Sequence, residues 1–339
     1  RVTVLDAFDG FLYSSALKRE NAALLQRHSK AEALTIVEGD IRDDALLATV
    51  VAGHDTIVHL AGIAGVRPSL RDPAFYCDVN VTGTAKLLVA ARTAGIDRFV
   101  FASSSSVYGN PPRLPADEDV ALVPQSPYAA TKRSGELLLE AWANTHPAAR
   151  LASLRFFTVY GPRQRPDMAI RTFASKLLQD APIDLFGDGS MRRDYTFVSD
   201  IVRGIEATVR NLDDRCGHRA FNLGRGETVD LRTLVAALEA VTGRTARVHA
   251  APKPAGDVDA TYASIARARD ELGWVPEVSL SDGLRAVLDK MEPLQKKRDE
   301  LTQMSRKQLE EAYNAQVKAA SPSKFDQVMQ FLNAVAARG

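Results

Sequence analysis

The sequence is poor in several features that would each settle a function class. Cysteine occurs only twice in 339 residues, at Cys77 and Cys216. The two sit in no metal-ligand or redox spacing, which excludes a disulfide scaffold and leaves a reducing cytoplasm as the expected compartment. A charge surplus is also lacking, since 43 basic against 42 acidic side chains leave a net +1. That balance provides no electrostatic footprint for nucleic acid or an anionic membrane surface, so neither is expected as a partner. The longest apolar stretch, around residues 56–66, is far below the roughly 20 residues a membrane helix needs, and nothing reads as a signal peptide. No internal repeat and no low-complexity tract occurs, which excludes a repeat architecture.

What remains is an ordinary globular composition, 45% hydrophobic and 25% charged, in a chain long enough for two lobes and an appendage. β-Branched or apolar runs at 2–5, 34–37, 56–60, 98–102 and 151–157 predict strands. Between them, 15–28, 73–94 and 128–142 show helical periodicity. Strands alternating with helices of this length predict a parallel sheet covered on both faces, an α/β fold. After Tyr160 the elements shorten around Gly161-Pro162 and Gly187-Asp-Gly189, with helices near 170–178 and 231–241. From residue 292 the composition turns to Gln, Lys, Glu and Arg, and Ser323 with Asp326 has the spacing of a capping box. The expected organisation is therefore 1–155 as a nucleotide-binding domain, 156–291 as a smaller, partly interleaved α+β lobe, and 292–339 as a helical extension.

The chemistry sits in Tyr128-Ala-Ala-Thr-Lys132, a phenol and an ammonium one helical turn apart on one face. A phenol titrates near ~10 and is a poor base at neutral pH, whereas a neighbouring ammonium favours the phenolate. Upstream, Phe101-Ala-Ser-Ser-Ser-Ser-Val-Tyr-Gly109 runs a strand straight into a serine-rich turn. Hydroxyls at the carboxyl end of a parallel strand face the crevice where such sheets bind ligands. On these residues the chain resembles the extended short-chain dehydrogenase/reductase family, from Val2 to about Met291. The fold implied is a Rossmann-like doubly wound sheet, and the cofactor implied is NAD. Ser104 would then align the substrate hydroxyl, Tyr128 would be the acid/base, and Lys132 would hold the nicotinamide ribose and lower the phenol.

Further segments resemble the same family. Asp6, ending the first strand, looks like the acid that grips the adenosine ribose, and Asp40 and Ile41 resemble the turn at adenine. Leu60-Ala61-Gly62 resembles the loop beside the pyrophosphate. Asn80 resembles the asparagine that braces the central strands, and Phe157 is placed beside the cofactor. The family's first strand and glycine-rich turn do not occur in residues 1–339, so the resemblance implies a missing strand between those ending at Asp6 and Leu60. The expectation is a fragment that binds NAD poorly and is less stable for it.

Dehydratases of the family place Asp-Glu where Ser105 and Ser106 stand, and decarboxylases place a glutamate at Ser106. Neither carboxylate is present, which leaves epimerisation. The stretch from Leu154 to Met168 closely resembles the UDP-glucuronate 4-epimerase signature, and that resemblance assigns the sugar carboxylate to Thr158 and Arg165. A guanidinium suits the task because it can grip a carboxylate through two parallel hydrogen bonds. Arg193 matches a diphosphate-binding arginine, and Asp257 an acid at the nucleotide ribose. The implied partner is a UDP-sugar, with a homodimer formed through the helices around Lys86 and Leu138. A UDP-glucose 4-epimerase, another nucleotide-sugar epimerase or dehydratase, and a non-catalytic assembly module stay open as alternatives.

Overall fold

The computed structural model describes residues 1–28, 30–214, 216–252 and 257–303, the side chains of Asp214 and 292–303 excepted. The expected capping box at Ser323 lies outside the described residues. The chain divides into two compact units, 1–288 and 289–339.

Among the described residues, twelve strands occur in the first unit: β1 (Val2–Asp6), β2 (Leu34–Glu38), β3 (Thr56–His59), β4 (Arg98–Ser104), β5 (Arg150–Phe156), β6 (Thr158–Tyr160), β7 (Ile183–Phe186), β8 (Arg192–Arg193), β9 (Tyr195–Phe197), β10 (Gly217–Leu223), β11 (Val229–Asp230) and β12 (Val248–Ala251). The central sheet has the order β10-β5-β4-β3 and is wholly parallel. β1 and β2 form a separate parallel pair. Among the described residues no strand joins the two, so β1 and β3 each keep one edge without a ladder partner. On β3 and the residue after it, Val58 and Leu60 are 39% and 54% exposed, where a covered strand would hide them.

β4 shows why the sheet is buried on both sides. Phe99 and Phe101 point to a cluster with Leu87, Leu88, Leu139 and Leu151. Val100 points the other way, to Leu154, Ile201, Phe221, Leu223 and Trp274. The period of two thus carries an apolar residue on either face, as a sheet between helical layers requires.

The expected helix at 73–94 is interrupted. Pro73–Cys77 and Gly83–Thr93 are α-helical, and Asp78–Thr82 between them is a π-helical turn. Such turns redirect side chains within a continuous helix, and this one carries Asn80. The helix Pro127–Thr145 starts where Ser126 accepts a hydrogen bond from the Ala129 N–H, with Pro127 in the first turn. Both choices suit a helix start, because the cap oxygen satisfies a free donor and proline has none to lose. Gly135 lets this helix lie flat on β4, since a Cβ there would stand 2.4 Å from the Phe101 ring. The start and the seat of the helix together fix where Tyr128 and Lys132 fall.

Candidate active site

Ser104 ends β4 and caps the short turn Ser105–Tyr108. Its hydroxyl hydrogen-bonds the Tyr128 phenol and lies 2.5 Å from the Ser106 hydroxyl. Lys132, one turn beyond Tyr128, is buried and donates from Nζ to the Ala102 carbonyl at 2.7 Å. Serine, tyrosine and lysine therefore meet at the carboxyl end of β4, where the strand-turn-helix order placed them.

The charges differ from the expectation that Lys132 makes the phenol basic. Burial pushes the Tyr128 phenol above its ordinary value, and the Ser104 hydrogen bond and the Arg165 charge pull it only part of the way back. Burial also pushes Lys132 down, to about 8. The downward pulls on the phenol come from the Ser104 hydroxyl and the Arg165 charge.

Asn80 ties two elements of the site together. Its Oδ1 accepts from the Ile63 N–H at 2.7 Å, and its Nδ2 donates to the Ile63 carbonyl and to Thr131 Oγ1, both at 3.0 Å. Gly62, beside it, has φ +149°, and a Cβ there would stand 2.9 Å from Asn80 Oδ1 and 3.5 Å from Lys132 Nζ. The Leu60–Gly62 loop thus approaches the Asn80 amide as closely as only glycine allows, with Lys132 beside it.

The remaining expected cofactor residues are dispersed around this centre. Asp6 is exposed at the end of β1, with one oxygen accepting from the Phe8 N–H at 2.7 Å. Asp40 is gripped by Arg42, which also pairs with Asp78, and that hydrogen bonding holds the Asp40 carboxyl below its usual range. Ile41 is buried with Ile63, Tyr76 and Val79, so only its backbone is available to a ligand. Phe157 is likewise a core residue, packed with Val107, Tyr108 and Ala263.

Of the residues expected at the sugar, Arg165 acts electrostatically on the Tyr128, Tyr76 and Tyr13 phenols, which places its charge near all three. Thr158 begins β6, its N–H donating to the Asp194 carbonyl. Arg193 stands on β8 and donates to the Arg192 carbonyl at 2.9 Å. Asp257 pairs with Arg67 at 3.1 Å, and the Arg67 guanidinium lies 4.9 Å from the Phe186 ring centre.

Sequence reasoning missed the polar framework behind the site. Glu136, one turn after Lys132 and fully buried, takes two hydrogen bonds from Arg155, at 2.9 and 3.0 Å, and one from Ser103 at 2.6 Å. Arg155 also donates to the Tyr108 hydroxyl and the Glu118 carbonyl. The signal was available: a carboxylate at i+4 from Lys132 falls on the buried face of the helix, where it requires a partner. Asp194 is similar, collecting the backbone N–H groups of Arg225, Gly226 and Ala263, and burial pushes its carboxyl up to about 6. Among the described residues no group of three or more His, Cys, Asp or Glu side chains could hold a metal. No described helix is long and apolar enough to cross a membrane.

The residues present fit a nicotinamide dinucleotide: a buried lysine beside the phenol, a glycine loop with no room for a side chain, and a free carboxylate oxygen at the end of β1. Comparisons with known proteins point the same way. A UDP-glucuronate 4-epimerase of Thermodesulfobacterium geofontis is 36% identical over 270 residues, covering 78% of this chain and 81% of that one. A probable UDP-glucuronate 4-epimerase of Rhizobium meliloti is 36% identical over 298 residues, covering 82% and 86%. Among solved structures, a UDP-glucuronic acid 4-epimerase of Bacillus cereus in complex with UDP-glucuronic acid and NAD superposes with a TM-score of 0.81 at 34% identity, covering 87% and 91%. A dTDP-glucose 4,6-dehydratase of Streptomyces venezuelae follows at 0.79 and 30%, covering 87% and 88%. The profile of the NAD dependent epimerase/dehydratase family matches residues 8–224, and the chain belongs to that family.

Proposed function

We propose that this chain epimerises a UDP-sugar at carbon 4 with NAD as its cofactor, and that the sugar is UDP-glucuronate, converted to UDP-galacturonate. The observation that carries the reading is that Ser104, Tyr128 and Lys132 meet at the carboxyl end of β4, with the Arg165 guanidinium set against the Gly65 turn and its charge acting on the phenol. A cation over the acid/base suits a substrate with a carboxylate near the reacting carbon.

The chain's own groups divide the work. Ser104 holds the 4-hydroxyl against the phenol, and Tyr128 accepts its proton and later returns it. Bound NAD supplies the hydride acceptor and donor, so no net redox change results. Lys132 fixes the nicotinamide ribose, while Asp6, Asp40, Ile41 and Leu60–Gly62 face the rest of the dinucleotide. Thr158 and Arg165 hold the sugar carboxylate, and Arg165 keeps it from leaving as carbon dioxide while carbon 4 is a ketone. Arg193 and Asp257 take the diphosphate and the nucleotide ribose. Ser105 and Ser106 bring no second acid or base, so elimination of water has no catalyst. Val89 and Leu137, 48% and 49% exposed on the helices Gly83–Thr93 and Pro127–Thr145, support a homodimer through those helices. The two free, exposed cysteines suit a reducing cytoplasm.

The test is incubation with NAD and UDP-glucuronate deuterated at carbon 4, followed by NMR. UDP-galacturonate that keeps its deuterium supports the reading. A 4-keto-pentose product, loss of the label to water, or turnover of UDP-glucose alone overturns it. The neutral-sugar reading draws on one observation, that the Arg165 fork already has a carboxylate, Asp167, within the chain.

A further inference from the structure

The sequence between Tyr160 and the helix Ala169–Leu178 contains two arginines, Arg163 and Arg165, and one acid, Asp167, which Arg165 meets. Asp167 accepts from Arg165 through both oxygens, from Nε at 2.8 Å and from Nη2 at 2.7 Å. A guanidinium has two edges that can serve a carboxylate: the side edge, Nε with Nη2, and the end edge, Nη1 with Nη2. Asp167 takes the side edge, and among the described residues Nη1 has no hydrogen-bond partner.

The two charges are not equally placed. The charge of Arg165 acts on the phenols of Tyr13, Tyr76 and Tyr128, and that of Asp167 on Tyr13 and Tyr76. Nη2 lies 3.3 Å from where a Cβ of Gly65 would be, which sets the guanidinium against the Gly65 turn. The side chain of Arg165 is 21% exposed and that of Asp167 45%.

The segment that carries the pair is itself pinned. Gln164 Nε2 donates to the Val159 carbonyl at 2.9 Å, Thr172 Oγ1 to the Pro166 carbonyl at 3.0 Å, and Arg171 to the Gln164 carbonyl. Arg163 holds φ +63°, a turn conformation uncommon in a residue with a side chain. Asp167 is thus a fixed carboxylate rather than a wandering surface charge.

We infer that Asp167 is a positioning residue that grips the side edge of Arg165 and aims its end edge at the carboxylate of the sugar, so that it sets selectivity for a uronate over the neutral hexose. The inference rests on the proposed function and deepens it, because it names a residue that tunes carboxylate recognition without touching the substrate. Arginine loses several rotatable torsions when it binds an anion from a free state, and a partner that holds it beforehand removes that cost. A purely competing acid would act in the opposite direction, since removing it would free both edges.

The two roles separate in a titration. Calorimetric Kd values for UDP-glucuronate and for UDP-glucose, with NAD in the buffer, are compared for the wild type, Asp167→Asn and Asp167→Glu. We expect Asp167→Asn to weaken UDP-glucuronate about tenfold while UDP-glucose stays within about twofold, and Asp167→Glu to recover part of the loss. Tighter binding of UDP-glucuronate by Asp167→Asn overturns the inference, as does equal weakening of both sugars or no change in either. A wild type that does not prefer UDP-glucuronate over UDP-glucose refutes the proposed substrate first, and the role of Asp167 with it. A thermal melt of each variant confirms that folding is retained.

Discussion

Replacing Lys132 by methionine removes a cation that the folded protein carries at a loss. Its ammonium is pushed from an ordinary 10.5 to about 8 by burial alone. At about 1.4 kcal/mol per pKa unit, the shift corresponds to roughly 3 kcal/mol of penalty at pH 7 for holding the charge inside the fold. Methionine fills a similar volume and needs no water. Against this gain stand the hydrogen bond to Ala102 and the contact of the ammonium with the Phe101 ring 5.0 Å away, which together contribute about 1–2 kcal/mol. The variant should therefore be more stable than the wild type by about 1–2 kcal/mol at pH 7 while losing the group assigned to the nicotinamide ribose. The pH dependence gives the signature. Between pH 8 and 10.5 the unfolded chain still holds the lysine proton that the folded chain has released, so this group adds stability as pH rises through that window. The advantage of the variant should shrink accordingly between pH 8 and 10.5. Urea unfolding of both proteins without NAD, at pH 7, 8, 9 and 10, measures the difference, and alkaline effects common to both cancel. A variant less stable than the wild type by more than about 1 kcal/mol at pH 7, or a difference that does not move with pH, would refute the reasoning.

Glu136→Gln leaves the Arg155 guanidinium buried with a neutral partner, and it should cost about 3–5 kcal/mol in urea unfolding at pH 7. Burial alone would raise the Glu136 carboxyl, but Arg155 and Ser103 outweigh it and the net shift is downward. The wild-type contribution is accordingly present above the ordinary glutamate value and is lost as pH falls through the lower folded one. Gly135→Ala forces a methyl group against Phe101 and should cost about 1–3 kcal/mol. Thermal unfolding measures that loss, and a fall in kcat should accompany it because the lifted helix carries Tyr128. Tyr128→Phe removes the phenol hydroxyl with little change in packing and should lower kcat by about 10²–10⁴-fold. A mutant melting within about 2 °C of the wild type attributes that loss to chemistry. Turnover within tenfold of the wild type would show that another group moves the proton.

Strand and helix periodicity made the α/β architecture readable because each strand of the central sheet carries apolar residues on both faces. Ser104, Tyr128 and Lys132 were readable because a strand end, a capped helix start and a four-residue spacing are local features. The π-helical turn at Asp78–Thr82 was not readable, since it preserves helical spacing on both sides and shows only in which way Asn80 points. Glu136 and Arg155 lie 19 residues apart on different elements, and their pairing depends on a helix crossing a strand that neither local sequence encodes. The electrostatics of the phenol were misjudged for a related reason. Spacing brings Lys132 near Tyr128, but burial and the Ala102 carbonyl decide what the ammonium does there.

The amide of Asn80 is a three-way joint. Its oxygen and one nitrogen are clipped to both backbone groups of Ile63, and the same nitrogen reaches Thr131, three residues past the phenol. The wall at Gly62 and the helix bearing Tyr128 thus share a single reference point, and a displacement of one is a displacement of the other. Alignment across the crevice is inherited from the shape of one side chain and needs no hinge. An aspartate at position 80 has almost the same outline, but when ionised it cannot donate: the clip to the Ile63 carbonyl becomes a repulsive contact, and the one to Thr131 survives only if that hydroxyl turns away from the Tyr128 carbonyl. The halves of the site would then drift independently while every group named in the chemistry stayed in the sequence.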